Sequence, residues 1–376
     1  MSNRRTCHLF AAGSALALLT AACSPSGEPE AGASDSAGSA AMPGNSDTTA
    51  SAMTDTRPAD GVTPPADSRE LAAIDMQEWD VPWEGRPRDP YTLDGETVWF
   101  VGQANSYIGR LDVATGEMSR VDLREGAGPH NLIVHPDGRI WYAGNRDAHI
   151  GIYDPASGAF DYVETPPDTV ADPHTQIFDD AGHVWFSSQR SNSVSRLNME
   201  SRELDVVMVP TESARPYGIK IAPDGTIWVA LFGTSKLASI DPDTLVLTEH
   251  DLPRDSARPR RLDITSDGRI WYGDYADGFL GVLDPSDGSI REWAMPSGVN
   301  ARPYALAVDG QDRVWFVETG VDPNWFVGFD PASETFFSIT GIPSGGGVVR
   351  HMHYLPSTGD IWFGSDMGTI GRASVE

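Results

Sequence analysis

Seven tryptophans set a period. Trp99, Trp141, Trp185, Trp228, Trp271, Trp315 and Trp362 follow one another at intervals of 42 to 47 residues. A repeat of that length suits a four-stranded propeller blade. The chain is therefore predicted to be all-β, a seven-bladed β-propeller. The wording around each tryptophan supports this. His130-Asn131-Leu132-Ile133-Val134 reads as a strand, Pro136-Asp137-Gly138 as a turn, and Arg139-Ile140-Trp141-Tyr142-Ala143 as a second strand. Ile150-Gly151-Ile152-Tyr153 is a third, ended by Asp154-Pro155, and Phe160-Asp161-Tyr162-Val163 a fourth. Asp-Gly recurs at Asp94-Gly95, Asp224-Gly225 and Asp267-Gly268, a hairpin signal because glycine tolerates positive φ. No stretch of the array keeps a helical period. The tryptophans are expected to pack between neighbouring blades, not to stack on a ligand.

The two ends of the array explain how it closes. Ile370 to Glu376 matches a third strand, and no fourth follows. Met76-Gln77-Glu78-Trp79-Asp80-Val81-Pro82 matches a fourth strand, as Ile290 to Pro296 does. Residues 74–82 are thus predicted to complete the last blade, which removes open sheet edges.

The propeller is assigned to residues 70–376. Before it, Arg4-Arg5, an apolar run from Leu9 to Leu19, and Thr20-Ala21-Ala22-Cys23 read as a lipoprotein-type signal peptide over residues 1–22. Cys23 is the expected lipidation site and mature N-terminus. Ser24 after it favours the outer membrane, with the protein facing the periplasm. Residues 23–69 are Ala, Ser, Gly, Pro, Thr and Asp with almost no large apolar side chain. They read as a disordered tether. Cys7 leaves with the signal, so no structural disulfide or cysteine metal site is expected.

Counting eleven residues back from each tryptophan gives Arg88, His130, His174, Tyr217, Arg260, Tyr304 and His351, none of them apolar. Most follow a proline, as in Asp172-Pro173-His174. Four residues past each tryptophan stand Gln103, Asn145, Gln189, Phe232, Tyr275, Thr319 and Asp366, with Asp274 and Glu318 one earlier. The first strand of a blade lines the central channel, and its start lies beside the end of the second. Both rows should converge on one mouth, and a convergent polar cluster in a concavity is the default binding-site hypothesis. Polar residues that merely cap a wet channel are the plain alternative. The formal net charge is −27, yet Arg86, Arg88, Arg215, Arg258, Arg260, Arg261, Arg302 and Arg350 gather at the proline positions. Arginine's fork of donors suits carboxylate or carbonyl-rich groups. A small-molecule or oligosaccharide ligand, anionic or rich in acceptors, is expected. Nucleic acid is not. The protein is expected to be a monomer that meets the membrane only through its lipid.

Gly128-Pro129-His130, Arg215-Pro216-Tyr217, Val314-Trp315-Phe316-Val317-Glu318 and Ile108-Gly109-Arg110 together resemble the streptogramin B lyase (virginiamycin B lyase) family over residues 74–376. That resemblance implies a seven-bladed propeller that opens a cyclic depsipeptide by elimination. It also implies Mg²⁺, and histidines and glutamates from the last two blades. In chain order His351 stands at the family's general base and Asp366 at a glutamate. Tyr304 replaces a histidine, and Val349-Arg350 replaces Glu-Pro. By local motif, Asp172-Pro173-His174 is the match, with His130 in the preceding blade and Gln189 where glutamate is expected. The candidate bases are therefore His351, His130 and His174, and the acids Tyr304 and Tyr217. Arg88, Arg260, Arg302, Gln103, Asn145, Gln189 and Glu318 are candidates for substrate binding, and Asp366 and Asp172 for metal. A lactonase-type hydrolase and a non-catalytic binding propeller stay open beside the carbon–oxygen lyase.

Overall fold

The computed structural model describes residues 71–376. The signal segment, Cys23 and the tether lie outside them. Among the described residues no helix is long and apolar enough to cross a membrane.

Seven four-stranded antiparallel sheets follow one another around a central axis. Six are continuous in sequence. The third blade, for example, pairs Pro173–Phe178, His183–Ser188, Ser193–Asn198 and Leu204–Met208 in order. The innermost strands of successive blades pack against one another all the way round, the seventh against the first. One three-residue 3₁₀ turn, Gly298–Asn300, is the only helical element among the described residues.

The seventh blade is closed as the sequence predicts. Asp75–Asp80 pairs with Thr369–Ser374, from Asp75 opposite Ser374 to Asp80 opposite Thr369. Trp79 stacks on Trp362 with centroids 5.7 Å apart. Glu78 accepts from the Ser344 backbone N–H and hydroxyl (both 2.7 Å) and from Thr369 Oγ1 (2.6 Å). The segment also reaches the sixth blade, where the Ala72 backbone N–H donates to Phe337 O (3.1 Å) and Ile74 N–H to Thr340 Oγ1 (3.0 Å). The closing strand therefore ties two blades.

The tryptophans pack between blades. Trp185 of the third blade lies in one apolar cluster with Ile219, Ile227 and Val229 of the fourth. Trp271 of the fifth lies with Leu306, Val314 and Phe316 of the sixth. Burial of such large rings stabilises each blade-to-blade face by roughly 1.5–3 kcal/mol per side chain.

Candidate functional site

Every inner strand carries the same irregularity. Pro173 pairs with Ser188 and Gln176 with Phe186, so three steps on the inner strand match two on its partner. The same shift occurs in the other six blades. A β-bulge of this kind re-aims side chains. Here it directs the first and second residues after each proline to the axis, where sequence alternation predicts only one.

The pairing also corrects one assignment. Val349 opposite Ser365 occupies the place that Pro173 holds opposite Ser188. The seventh blade's member of the first row is thus Arg350, not His351. Its inner hairpin is one residue longer than the others, because Tyr354 pairs with Ile361 where Phe178 pairs with Val184. A fixed count back from Trp362 therefore lands one residue late.

The first row is Arg88, His130, His174, Tyr217, Arg260, Tyr304 and Arg350, and none is more than 8 % exposed. The expected open mouth is filled by these side chains. The His130 and His174 rings lie 3.3 Å apart between centroids, and His174 and Tyr217 lie 4.2 Å apart. The Tyr217 and Tyr304 hydroxyls are hydrogen-bonded across the axis. Arg260 donates to Tyr304 Oη (2.8 Å), and its guanidinium sits 3.6 Å over the Tyr304 ring. Phe232 and Tyr275, partly exposed, form an outer layer within 4.5 and 4.7 Å of Arg260.

A second row lies beneath, formed by Asp89, Asn131, Thr175, Gly218, Arg261, Ala305 and His351. Asp89 accepts from Arg88 Nε (3.0 Å) and Asn131 Nδ2 (3.1 Å). Arg261 donates to Arg350 O (3.1 Å) and Thr175 Oγ1 (2.9 Å), and Thr175 Oγ1 lies 2.8 Å from His174 Nδ1. Gly218 makes room for this crowding, since a Cβ there would stand 3.0 Å from Arg260 O and Arg261 Cα. Sequence reasoning missed Asp89, Asn131 and Thr175. Their signal was available two residues after each proline.

Charge is arranged around Asp89. Burial pushes its carboxyl up, but Arg88, His351, Arg261 and His130 more than offset this and hold it well below the usual range. His351 keeps part of its surface open to the channel. Burial still depresses its imidazole well below the ordinary histidine value, and Arg261 adds to the effect against Asp89.

The remaining candidates stand at the rim. Gln103 accepts from Arg88 Nη1 (3.0 Å), and Asn145 donates to Pro173 O (3.0 Å) and Asp172 O (3.3 Å). Gln189 is buried past the end of its strand. Arg302, before Pro303, is half-buried, and its carbonyl accepts from Thr319 (2.7 Å). Glu318 accepts from the Ser297 backbone N–H (3.2 Å) and hydroxyl. Burial pushes its carboxyl up to about 7 against those bonds.

Magnesium takes oxygen ligands from carboxylates and water, and the carboxylates here do not fit it. Asp172 caps its loop, accepting the Arg190 (2.9 Å) and Ser191 (3.3 Å) backbone N–H groups. Asp366 pairs with Arg350 (2.5 Å) and Asp274 with Arg254 (2.7 Å). Among the described residues no three His, Cys, Asp or Glu side chains stand together as a metal site would require.

Three comparisons bear on kinship. The chain resembles a virginiamycin B lyase from Staphylococcus aureus, with 19 % identity and TM-score 0.72 over 81 % of this chain and all of that one. A streptogramin B lyase structure gives 21 % identity and TM-score 0.71 over 81 % of this chain and 98 % of its own. YCF48 bound to D1 peptide gives 13 % identity and TM-score 0.66, over 84 % of this chain and all of the other. These likenesses show the propeller fold. No curated protein sequence gives a significant match. A sequence model described as the virginiamycin B lyase family matches residues 75–373, and on that extent of match the chain belongs to this family.

Proposed function

We propose that the protein is a carbon–oxygen lyase acting by β-elimination on an acceptor-rich, anionic ligand at the proline-side face. One observation carries this reading: the Tyr217–Tyr304 phenol pair, braced by Arg260 and flanked by His174. Elimination needs a base for the proton next to a carbonyl, a cation for the enolate, and an acid for the departing oxygen. His174 or His130 takes the proton, and the C–H electrons form the new double bond. Arg260 holds the enolate oxygen. The C–O electrons leave with oxygen, which Tyr304 or Tyr217 protonates. Phe232 and Tyr275 lie over Arg260 and must swing aside to admit the ligand. Arg88, Arg302, Gln103, Asn145, Gln189 and Glu318 surround the entry. His351, in the second row, acts from beneath.

The test is turnover of streptogramin B, uronate oligomers and lactones by the full chain, followed by the new double bond. Tyr304→Phe is expected to lower kcat by about 100-fold while the protein stays folded. Oxygen from labelled water in the product would mark a hydrolase and overturn the reading. So would unchanged turnover in both Tyr304→Phe and His174→Ala.

A second reading is a non-catalytic binding propeller, favoured by the near-complete burial of the first row. On that view the same variants change affinity alone. In either case we place the protein in the cell envelope as a monomer, anchored through Cys23. Cys23→Ser is expected to move it from the membrane fraction to the soluble periplasm.

A further inference from the structure

The opposite end of the channel is open. A cavity of about 310 Å³ is lined there by the later residues of the inner strands. Its walls alternate apolar side chains, Ile177, Ile219, Leu262 and Met352 among them, with polar ones. Tyr91 stacks on His353, with centroids 4.0 Å apart, at its side. At the entrance Lys220 pairs with Asp263 (2.9 Å).

The closed inner end is polar and unsatisfied. Gln176, 4 % exposed, donates its amide to Asn131 O (3.4 Å), which leaves Oε1 with no donor. Arg261, also 4 % exposed, spends Nε and Nη1 on Arg350 O and Thr175, and Nη2 makes no hydrogen bond. Its nearest carboxylate oxygen, Asp89 Oδ2, is 3.8 Å away and already takes Asn131. His351 Nδ1 also has no hydrogen-bond partner. A buried donor or acceptor left unsatisfied costs about 1–3 kcal/mol. Three at the end of one cavity of ligand size mark a place where something polar belongs.

We infer that this cavity is a second ligand site, distinct from the proline-side face, for a small carboxylic acid with a hydroxyl or amine beside the carboxylate and an apolar or aromatic body. The carboxylate accepts from Arg261 Nη2. The adjacent donor satisfies Gln176 Oε1. The body lies along the aliphatic side chains of the wall toward Tyr91 and His353. This assignment uses none of the first-row residues that carry the lyase reading, and shares with that reading only His351.

The probes are phenyllactate, phenylpropanoate without the hydroxyl, and phenyllactate methyl ester without the charge. Each is titrated calorimetrically into the full chain. Phenyllactate is expected to bind at one site, at least about tenfold tighter than either analogue, since sites built to bond a hydroxyl reject its absence strongly. Gln176→Leu, similar in volume, should abolish the preference over phenylpropanoate while melting and circular dichroism stay near wild type. Tyr304→Phe should leave phenyllactate affinity unchanged. Equal affinity for all three probes, or no binding, overturns the site. Loss of binding in Tyr304→Phe with none in Gln176→Leu overturns it too, by moving the ligand to the other face.

Discussion

The same seven strands build two unlike ends of one channel. At the proline end each bulge sends two side chains to the axis, and they fill it with His, Tyr, Arg and Asp in mutual contact. Beyond the bulge the pairing is regular again, and a cavity of about 310 Å³ remains. One extra residue per strand thus turns an open tube into a packed polar plug. The plug is where charge is bought into the interior and held by partners. The open end keeps the Lys220–Asp263 ion pair, partly in contact with water.

This contrast can be broken at several places. Removing residues 71–82 opens the ring and should disturb both ends at once. It deletes the paired edge, the Trp79–Trp362 stack and the Glu78 bonds. The expected fall in Tm is on the order of 10 °C or more, with loss of a single cooperative melt. A truncated chain that melts unchanged would remove the closing strand from the account of stability.

Within the plug, Asp89→Ala leaves Arg88 and Arg261 without their shared carboxylate. Chemical denaturation should show a loss of about 3–5 kcal/mol. Because Asp89 titrates below the usual range, its contribution is present above the unfolded carboxylate value and fades as pH falls through the lower folded one. The wild-type advantage over Asp89→Ala should therefore shrink in strong acid and hold at neutral pH.

Glu318 has the opposite sign. Its folded carboxyl sits at about 7, above its usual 4.5. The stability it confers is full below about 4.5 and is lost as pH rises through about 7. Glu318→Gln keeps an acceptor for Ser297 and does not ionise. It should gain on the wild type by about 3 kcal/mol between pH 4.5 and 8. Melting curves that run parallel across that range would show that Glu318 is not held neutral by burial.

The smallest effect belongs to the open end. Lys220→Met removes a partly exposed ion pair and should cost no more than about 1 kcal/mol. A loss as large as that of Asp89→Ala would mean that the two ends do not differ as their packing implies.

Much of the architecture was legible in advance. The tryptophan period, the Asp-Gly turns and the fourth-strand likeness of Met76 to Pro82 all report local pairing, which sequence records directly. The first row was legible for six blades, because a proline marks its start in each. It failed in the seventh, where Val349 replaces the proline and a longer hairpin shifts the count from Arg350 to His351. Of the second row only Arg261 and His351 were singled out, because strand alternation places Asp89, Asn131 and Thr175 on the other side until a bulge intervenes, and their shared place two residues past each proline then carries no weight.

The number of blades, their order and the strand that closes them follow from the repeat and its turns, which lie within short stretches of chain. What meets at the axis does not. There Tyr217 reaches Tyr304 and Arg261 reaches Thr175, in each case more than eighty residues away. Such contacts exist only once seven strands have closed into a ring and each has taken its bulge, because register and ring closure are properties of the assembled sheets and not of any one repeat.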